Sequence, residues 1–136
     1  MEWHPMSDER PGLGDWIRHY LERMVNARDV TAVDELVALD YVGSGHGWAP
    51  DREKLRAFYT WQASYRPDWH IDVQETVEVG DWVTVRAYAG GTVAYDEADH
   101  PLGTPYRRDI EWLAAFRVLD EQLVETQFLT VRDRIT

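Results

Sequence analysis

The chain has 136 residues, which is enough for one domain with its own hydrophobic core and too short for two ordinary domains. It has no cysteine, which excludes disulfide frameworks and thiolate metal sites. Its formal net charge of −11 argues against binding to nucleic acids or anionic membranes, because such binding depends on clustered lysine and arginine.

The sequence also lacks the segments that would direct it to a membrane or out of the cell. No apolar run approaches the roughly 20 residues that a membrane span needs. The polar and acidic start of the chain has neither the basic nor the apolar region of a signal peptide. We therefore expect a cytoplasmic protein that has no membrane partner.

An aperiodic arm precedes the predicted domain. Residues 1–13 contain prolines and glycine but no periodic apolar pattern, and we interpret them as flexible. Residues 14–136 are assigned to a single domain. Its first apolar stripe recurs at helical spacing as far as Val25, and Asp15 is the expected cap of this helix.

Two more helices are predicted before the period of the apolar pattern changes. The first starts at Thr31 in a weak capping box. The second is capped by Asp51, ends before Pro67 and carries a stripe that includes Gln62. Between these helices lie a short extended piece over residues 40–42 and a glycine-rich loop that continues to residue 47.

From residue 69 onward the apolar pattern has the period of two that is typical of strands. Five residues should share one face of the first strand: Trp69, Ile71, Val73, Val77 and Val79. Gly80 and Asp81 predict a two-residue hairpin. The later segments are a strand over residues 82–89, a bend at Gly90 and Gly91, a polar loop over 96–105, and strands over 106–119 and 123–132. Helices followed by an antiparallel meander indicate an α+β fold.

Strand alternation also predicts which side chains share a face. Thr126, Phe128 and Thr130 should point inward together, and Arg108 should share a face with Ile110, Trp112 and Ala114. Apolar residues fall on both faces of the strand after the hairpin, with Val83 and Val85 opposite Trp82. A sheet that is apolar on both sides must cover both, which favours a homodimer.

Several segments, taken in order and spacing, resemble SnoaL-like proteins. They are residues 25–29, 34–36, 40–42, 52–58, 80–86 and 115–125. The resemblance covers about residues 14–133 and implies the fold of the nuclear transport factor two-like superfamily. In that cone-shaped fold, a curved antiparallel sheet wraps around N-terminal helices and leaves a pocket at its wide end. The family includes polyketide cyclases, ketosteroid isomerase and limonene epoxide hydrolase, and many of its members are dimers.

The resemblance also locates the positions that carry acid and base groups in relatives. The last-strand Asp of the aromatic polyketide cyclases corresponds to Phe128, and the His of the preceding strand corresponds to Ala114. The Arg-x-Asp pair of limonene epoxide hydrolase corresponds to Arg86 and Tyr88. Because Phe128 cannot transfer a proton, both mechanisms lack their central acid in this chain.

Five residues are the candidates for catalysis. Arg86 could hold a carboxylate or a carbonyl oxygen, and Tyr88 could donate to developing oxyanion charge. Tyr41 often lines the pocket in relatives, and Asp40 beside it could act as a base if it is buried. His46, in the glycine-rich loop, belongs to the residue type that exchanges protons near neutral pH. Each also has a plain structural alternative: a strand ion pair, a turn cap or an exposed loop residue.

The aromatic content predicts an apolar pocket for a small organic molecule. Seven Trp and seven Tyr exceed what the core of so small a domain usually needs. The expected substrate-binding residues are Trp48, Phe58, Trp61, Tyr65, Trp112, Ala114 and Phe128. Tyr41 and Tyr88 are expected to complete the lining of the cavity.

The function that these features favour is a cyclase or isomerase acting on an apolar polyketide- or terpenoid-like substrate in specialised metabolism. The alternatives are a non-catalytic binding protein of the same fold, and epoxide opening by a relocated acid. The sequence carries no phosphate-binding loop, dinucleotide fingerprint or histidine pair with metal-ligand spacing. We therefore expect neither a metal nor an organic cofactor.

Overall fold

The computed structural model describes residues 12–134, so the predicted N-terminal arm lies almost wholly outside the described residues. The helices are α1 (Leu13–Leu21), which continues into a π-helical turn (Glu22–Asn26), α2 (Ala32–Leu36) and α3 (Arg52–Tyr65). The strands are β1 (Val37–Ser44), β2 (His70–Val79), β3 (Trp82–Tyr95), β4 (Pro101–Leu119) and β5 (Gln122–Asp133). The α+β prediction is confirmed. No helix in the described part of the chain is both long and apolar enough to cross a membrane.

The five strands form one sheet in the order β1-β5-β4-β3-β2. Neighbouring strands from β2 to β5 are antiparallel, as the meander predicts, whereas β1 pairs with β5 in parallel. The extended piece predicted over residues 40–42 is therefore part of a full edge strand. The helices pack on one face of this sheet, and the core lies between the two layers.

The side chain of Asn26 joins the end of the first helical segment to the edge strand β2 by two hydrogen bonds to its backbone. Asn26, at the end of the π-helical turn, accepts a hydrogen bond from the backbone N–H of Ile71 at 2.8 Å and donates one to the Ile71 carbonyl at 3.1 Å. Since β2 is an edge strand, this amide satisfies backbone groups that have no partner strand.

Of the predicted helix caps, one is confirmed by a side-chain hydrogen bond and two are not. The Asp51 carboxylate accepts from the backbone N–H of Lys54 at 2.8 Å, so the cap of α3 is confirmed. The Asp15 cap is wrong, because α1 begins one turn earlier with Gly12 at its N-cap and Asp15 lies inside the first turn. Thr31 occupies the N-cap position of α2 but makes no side-chain capping bond.

An extra residue in β2 reverses the faces that the sequence predicts for its second half. The pairing with β3 shifts between Val73 and Glu75, so the alternation of side chains slips by one position. Trp69 and Ile71 are buried, but Val77 is 53% exposed and Val79 is 70% exposed. The prediction that all five residues share one face is therefore wrong beyond Val73.

A second irregularity has the same effect in β5. Ala114 pairs with Phe128 but Leu113 pairs with Thr130, so Leu129 is an extra residue between them. Beyond this bulge Val131 packs against the core, whereas Thr130 is exposed. Phe128 faces inward as predicted, and the inward placement of Thr130 is wrong.

The glycines of β3 form no bulge and do not interrupt the strand. Gly90 and Gly91 pair in register with β4, and β3 continues to Tyr95. A side chain on Gly90 would overlap the carboxylate of Asp109, so glycine is required there for close approach rather than for a turn. The following loop spans only residues 96–100, which makes the predicted loop as far as residue 105 too long.

The outer face of the sheet carries a network of charged side chains together with apolar residues. Arg86 lies 3.2 Å from Glu111 and 3.7 Å from Glu75, and Arg132 donates to Glu111 at 2.7 Å. These charges alternate with half-buried aromatic residues such as Trp82. Val77 and Val79 are exposed on the same face, so apolar residues lie on both sides of the sheet, and the homodimer stays a prediction.

Candidate active site

A cavity of about 310 Å³ opens inside the fold. Its volume is at the lower end of the range for small-molecule sites. The walls come from α1 and the π-helical turn, α3, β2, β4, β5 and the loop after β1. Most lining residues are apolar or aromatic: Leu21, Val25, Trp48, Phe58, Tyr59, Trp61, Trp69, Ile71, Ile110, Trp112, Phe116, Phe128 and Val131. The polar lining residues are His46, Gln62, Arg66 and Arg108.

One wall is a continuous row of aromatic rings in contact with each other. The Trp48 ring lies 4.8 Å from Phe58 and 4.6 Å from Phe128, measured between ring centroids. Trp112 extends this row at 5.2 Å from Phe128, and Trp61 extends it at 6.1 Å from Phe58. Tilted and edge-to-face contacts at these distances hold the rings in fixed orientations. The structure thus brings five of the predicted binding residues together around one cavity.

Tyr41 lies behind this wall and does not line the cavity, contrary to its prediction. The indole Nε1 of Trp48 donates to the Tyr41 hydroxyl at 2.9 Å, and Tyr41 is only 2% exposed. Burial raises the pKa of Tyr41, so its phenol stays neutral. Gly43 has no room for a side chain between this hydroxyl and the carbonyl of Ala49. Tyr41 therefore fixes the position of Trp48.

The two positions that correspond to the acid and base of relatives are neighbours across the sheet. Ala114 on β4 pairs with Phe128 on β5. Ala114 is fully buried beneath the cavity wall, so it fills the core rather than the lining. Within residues 12–134, no aspartate or glutamate lines the cavity, and no group of three potential metal ligands occurs.

Three predicted catalytic residues lie away from the cavity. Arg86 and Tyr88 are on the outer face of the sheet, because the alternating residues of β3 that face inward are Val83, Val85, Ala87 and Ala89. The Arg86 guanidinium lies over the Tyr88 ring at 5.8 Å, so the two residues contact each other rather than a ligand. Asp40 is exposed on β1, which removes the burial on which its role as a base depended. Their predicted placement in the pocket is wrong.

His46 lies at the mouth of the cavity. The loop that carries it turns through positive φ angles at Gly45, His46 and Gly47, and Gly45 packs against the backbone of Phe128. The ring Nε2 of His46 is 3.3 Å from the carbonyl oxygen of Leu129. A carbonyl only accepts, so this contact is a hydrogen bond in the tautomer that carries its proton on Nε2, and in that tautomer Nδ1 can accept.

Tyr65 supports the wall from outside. Its ring stacks on Trp61 at 6.1 Å and meets Tyr95 edge-on at 5.0 Å, but it does not reach the cavity. Tyr59, one turn after Leu55, takes the inward position on α3 instead. Its hydroxyl shares a hydrogen bond of 3.3 Å with Tyr20, and burial raises the pKa of both phenols.

Two arginines of the lining are not among the site residues predicted from the sequence. Arg66 follows Gln62 by one helical turn, and its guanidinium lies 5.0 Å from the Trp61 ring centroid and 5.2 Å from that of Trp69. Burial, together with repulsion from Arg108, lowers the pKa of Arg66. The predicted face that Arg108 shares with Ile110 was the signal that could have identified it. The helical spacing from Gln62 was the signal for Arg66.

Comparison with known proteins places this cavity in a family. The model of the SnoaL-like domain matches residues 17–126. The fold is similar to that of wild-type IdmH from Streptomyces antibioticus, a candidate polyketide cyclase, at 27% identity and a TM-score of 0.67 over 85% of this chain and 89% of that one. A SnoaL-like polyketide cyclase from Agrobacterium tumefaciens has 13% identity and a TM-score of 0.71, over 88% and 91% of the two chains.

A third similar structure is that of AclR from Streptomyces galilaeus, a candidate hydroxylase. It has 17% identity and a TM-score of 0.67, over 90% of this chain and 82% of that one. No curated protein matches the chain. The family match spans most of the sequence and agrees with the helices, the five-stranded sheet and the cavity. The chain therefore belongs to the SnoaL-like domain family.

Proposed function

We propose that the protein is an enzyme of the cyclase or isomerase kind that acts on an apolar polyketide- or terpenoid-like molecule in specialised metabolism. The observation that carries this proposal is the cavity of about 310 Å³, one wall of which is a row of aromatic rings in contact with each other. Family membership and the similarity to IdmH support the reaction class.

The lining favours catalysis by orientation over catalysis by a carboxylate. Flat rings on several sides restrict a flexible substrate to few conformers, and such restriction can supply a large part of a barrier reduction. Phe128 stands where aromatic polyketide cyclases carry their acid, and Ala114 stands where they carry a histidine. The proton steps of a cyclisation would then depend on water at the mouth and on His46, the single imidazole of the described lining.

The proposal is tested by incubating the protein with two reactive probes, a linear poly-β-ketone ester and a terpenoid epoxide. Product formation is followed against the reaction without protein. We expect acceleration of the poly-β-ketone reaction. Phe58→Ala should reduce that acceleration about 10- to 100-fold, because the wall no longer holds the chain in a reactive geometry. Tyr88→Phe, on the outer face, is the matched control and should leave the rate unchanged.

His46→Gln separates orientation from proton transfer. Catalysis by orientation predicts a loss of less than about 10-fold, whereas a general base contributes on the order of 10² or more. A larger loss would therefore assign the proton step to His46. Acceleration of the epoxide alone would contradict the cyclase proposal and favour epoxide opening.

A second candidate is a binding protein without catalysis. The observation that favours it is the lack of any carboxylate in the described lining. Such a protein would bind the same probes, which is detectable as an increase in its melting temperature, and would release them unchanged. Binding of both probes without product would therefore select this candidate.

A further inference from the structure

Two positively charged side chains, Arg66 and Arg108, line a cavity that is otherwise mostly apolar. Arg66 directly follows α3, Arg108 lies on β4, and both line the cavity. Charged groups are rarely placed in an apolar pocket unless they are paired or meet a ligand. The Arg108 side chain is 41% exposed, so solvent screens its charge in part, whereas Arg66 is half-buried.

The part of the chain that the structure describes supplies only one of the partners. Arg108 donates through Nε to the Asp133 carboxylate at 3.0 Å, and its two Nη groups make no hydrogen bond to any residue in 12–134. The Arg66 side chain has no hydrogen bond or ion pair within that range. It is held instead between the rings of Trp61 and Trp69.

This arrangement presents donors in a fixed direction. Stacking between two indoles restricts the Arg66 guanidinium, so less conformational entropy is lost when it binds a ligand. Gln62, one turn earlier on α3, is 8% exposed and lines the same cavity. Its amide makes no hydrogen bond within the described residues and adds a neutral donor to the same wall. The lowered pKa of Arg66 agrees with a charge that is partly desolvated and repelled by Arg108.

We propose that Arg66 and Arg108 form an anion-binding subsite that holds a carboxylate of the ligand while the aromatic wall holds its apolar body. Planar guanidinium groups match the geometry of a carboxylate. Asp133 already balances one of the two charges, so a monoanion fits better than a phosphate dianion. The inference rests on the proposed function and narrows the substrate to aromatic or polyketide acids.

Three probes of one shape test the subsite: 1-naphthoate, its neutral analogue 1-naphthamide, and 1-naphthyl phosphate. Affinities are measured by calorimetry on the full chain at low and at moderate salt. We expect 1-naphthoate to bind about 10-fold or more tightly than 1-naphthamide, which is typical of a hydrogen bond to a charged group. Added salt should weaken the binding of the naphthoate and leave that of the naphthamide unchanged.

Variants decide which residues are responsible. Arg108→Gln should lower the affinity for 1-naphthoate about 10-fold and leave the affinity for 1-naphthamide within about 2-fold. Arg107→Gln is the matched control, because this neighbouring arginine pairs with Asp109 and does not line the cavity. Arg66→Gln should resemble Arg108→Gln. The decision rests on Arg108→Gln, since Arg66 also packs against two indoles.

The possible failures are distinguishable. Equal affinities for naphthoate and naphthamide, unaffected by Arg108→Gln, would overturn the subsite and leave the proposed function intact. Tighter binding of 1-naphthyl phosphate than of 1-naphthoate would overturn the assignment to a carboxylate. Failure of all three probes to bind at millimolar concentration would overturn the subsite, whereas the proposed function would still be decided by the poly-β-ketone reaction.

Discussion

Replacing Phe128 by Asp tests whether the surroundings of this position require an apolar side chain. The ring lies 4.6 Å from Trp48 and 5.2 Å from Trp112, with Ala114 opposite on β4. Loss of a fully buried phenylalanine ring costs about 3–5 kcal/mol, so about 2 kcal/mol is expected for this half-buried one. A carboxylate among aromatic rings should also have a raised pKa, and a rise of one to two units adds roughly 1.4–2.7 kcal/mol near neutral pH.

The charge is isolated by comparison with Phe128→Asn, which has nearly the same shape and no charge. A group whose folded-state pKa is raised keeps its proton longer in the folded state, so stability is lost as the pH rises through that value. The free energy of unfolding, measured by urea denaturation, should be similar for the two variants near pH 4. By pH 8, Phe128→Asp should be the less stable of the two by roughly 1.4–2.7 kcal/mol.

Two results would refute this reasoning. Equal stability of the Asp and Asn variants at pH 8 would mean that the cavity accepts a carboxylate at Phe128, through Arg108 or another group of the lining. Cyclase activity that appears only in Phe128→Asp would mean that the acid alone is sufficient. We expect no such activity, because Ala114 offers no histidine to pair with the new carboxylate.

Three further predictions concern stability and oligomeric state. Asn26→Ala removes both hydrogen bonds to the Ile71 backbone and should lower the free energy of unfolding by about 2 kcal/mol. The exposed control Asp72→Asn should change it by less than about 0.5 kcal/mol, and a loss below about 1 kcal/mol for Asn26→Ala would contradict the prediction. Arg132, with a smaller contribution from Arg86, lowers the pKa of Glu111, so its stabilising contribution should be lost as the pH falls below the usual range of a glutamate. The wild type should therefore lose more stability on acidification than Glu111→Gln, and parallel acid-denaturation curves would contradict this. Sedimentation at concentrations on the order of tens of micromolar should show a homodimer, and a monomer alone would refute it.

The sequence determined the elements that depend on local periodicity and local turn chemistry. The spacing of apolar residues along the chain predicts both the helix before residue 25 and the alternating faces of β3. The Asp51 cap and the hairpin at Gly80 depend on a few neighbouring residues, and both appear in the structure. The turn at residues 120 and 121 was also predictable. The pairing of Ala114 with Phe128 was not, because an extra residue, Val124, shifts the register between β4 and β5 beyond that turn.

One error was avoidable from the sequence. Arg86 and Tyr88 alternate with Val85, Ala87 and Ala89, and this pattern alone indicates that the polar pair faces outward. The resemblance to relatives placed them in the pocket instead. Local alternation was the stronger indicator here, because a strand without a bulge cannot turn one residue inward without turning its neighbours outward.

Only the tertiary structure decided the features that depend on a partner distant in the chain. The extra residues in β2 and β5 appear only when each strand pairs with its neighbour, and they reverse which residues face the core, as at Val77 and Val131. The parallel pairing of β1 with β5 joins segments about 80 residues apart, which no local pattern records. Arg66 and Arg108 meet at one cavity for the same reason: the physical environment of a charge is set by all the chain segments around it, and the sequence gives only those beside it.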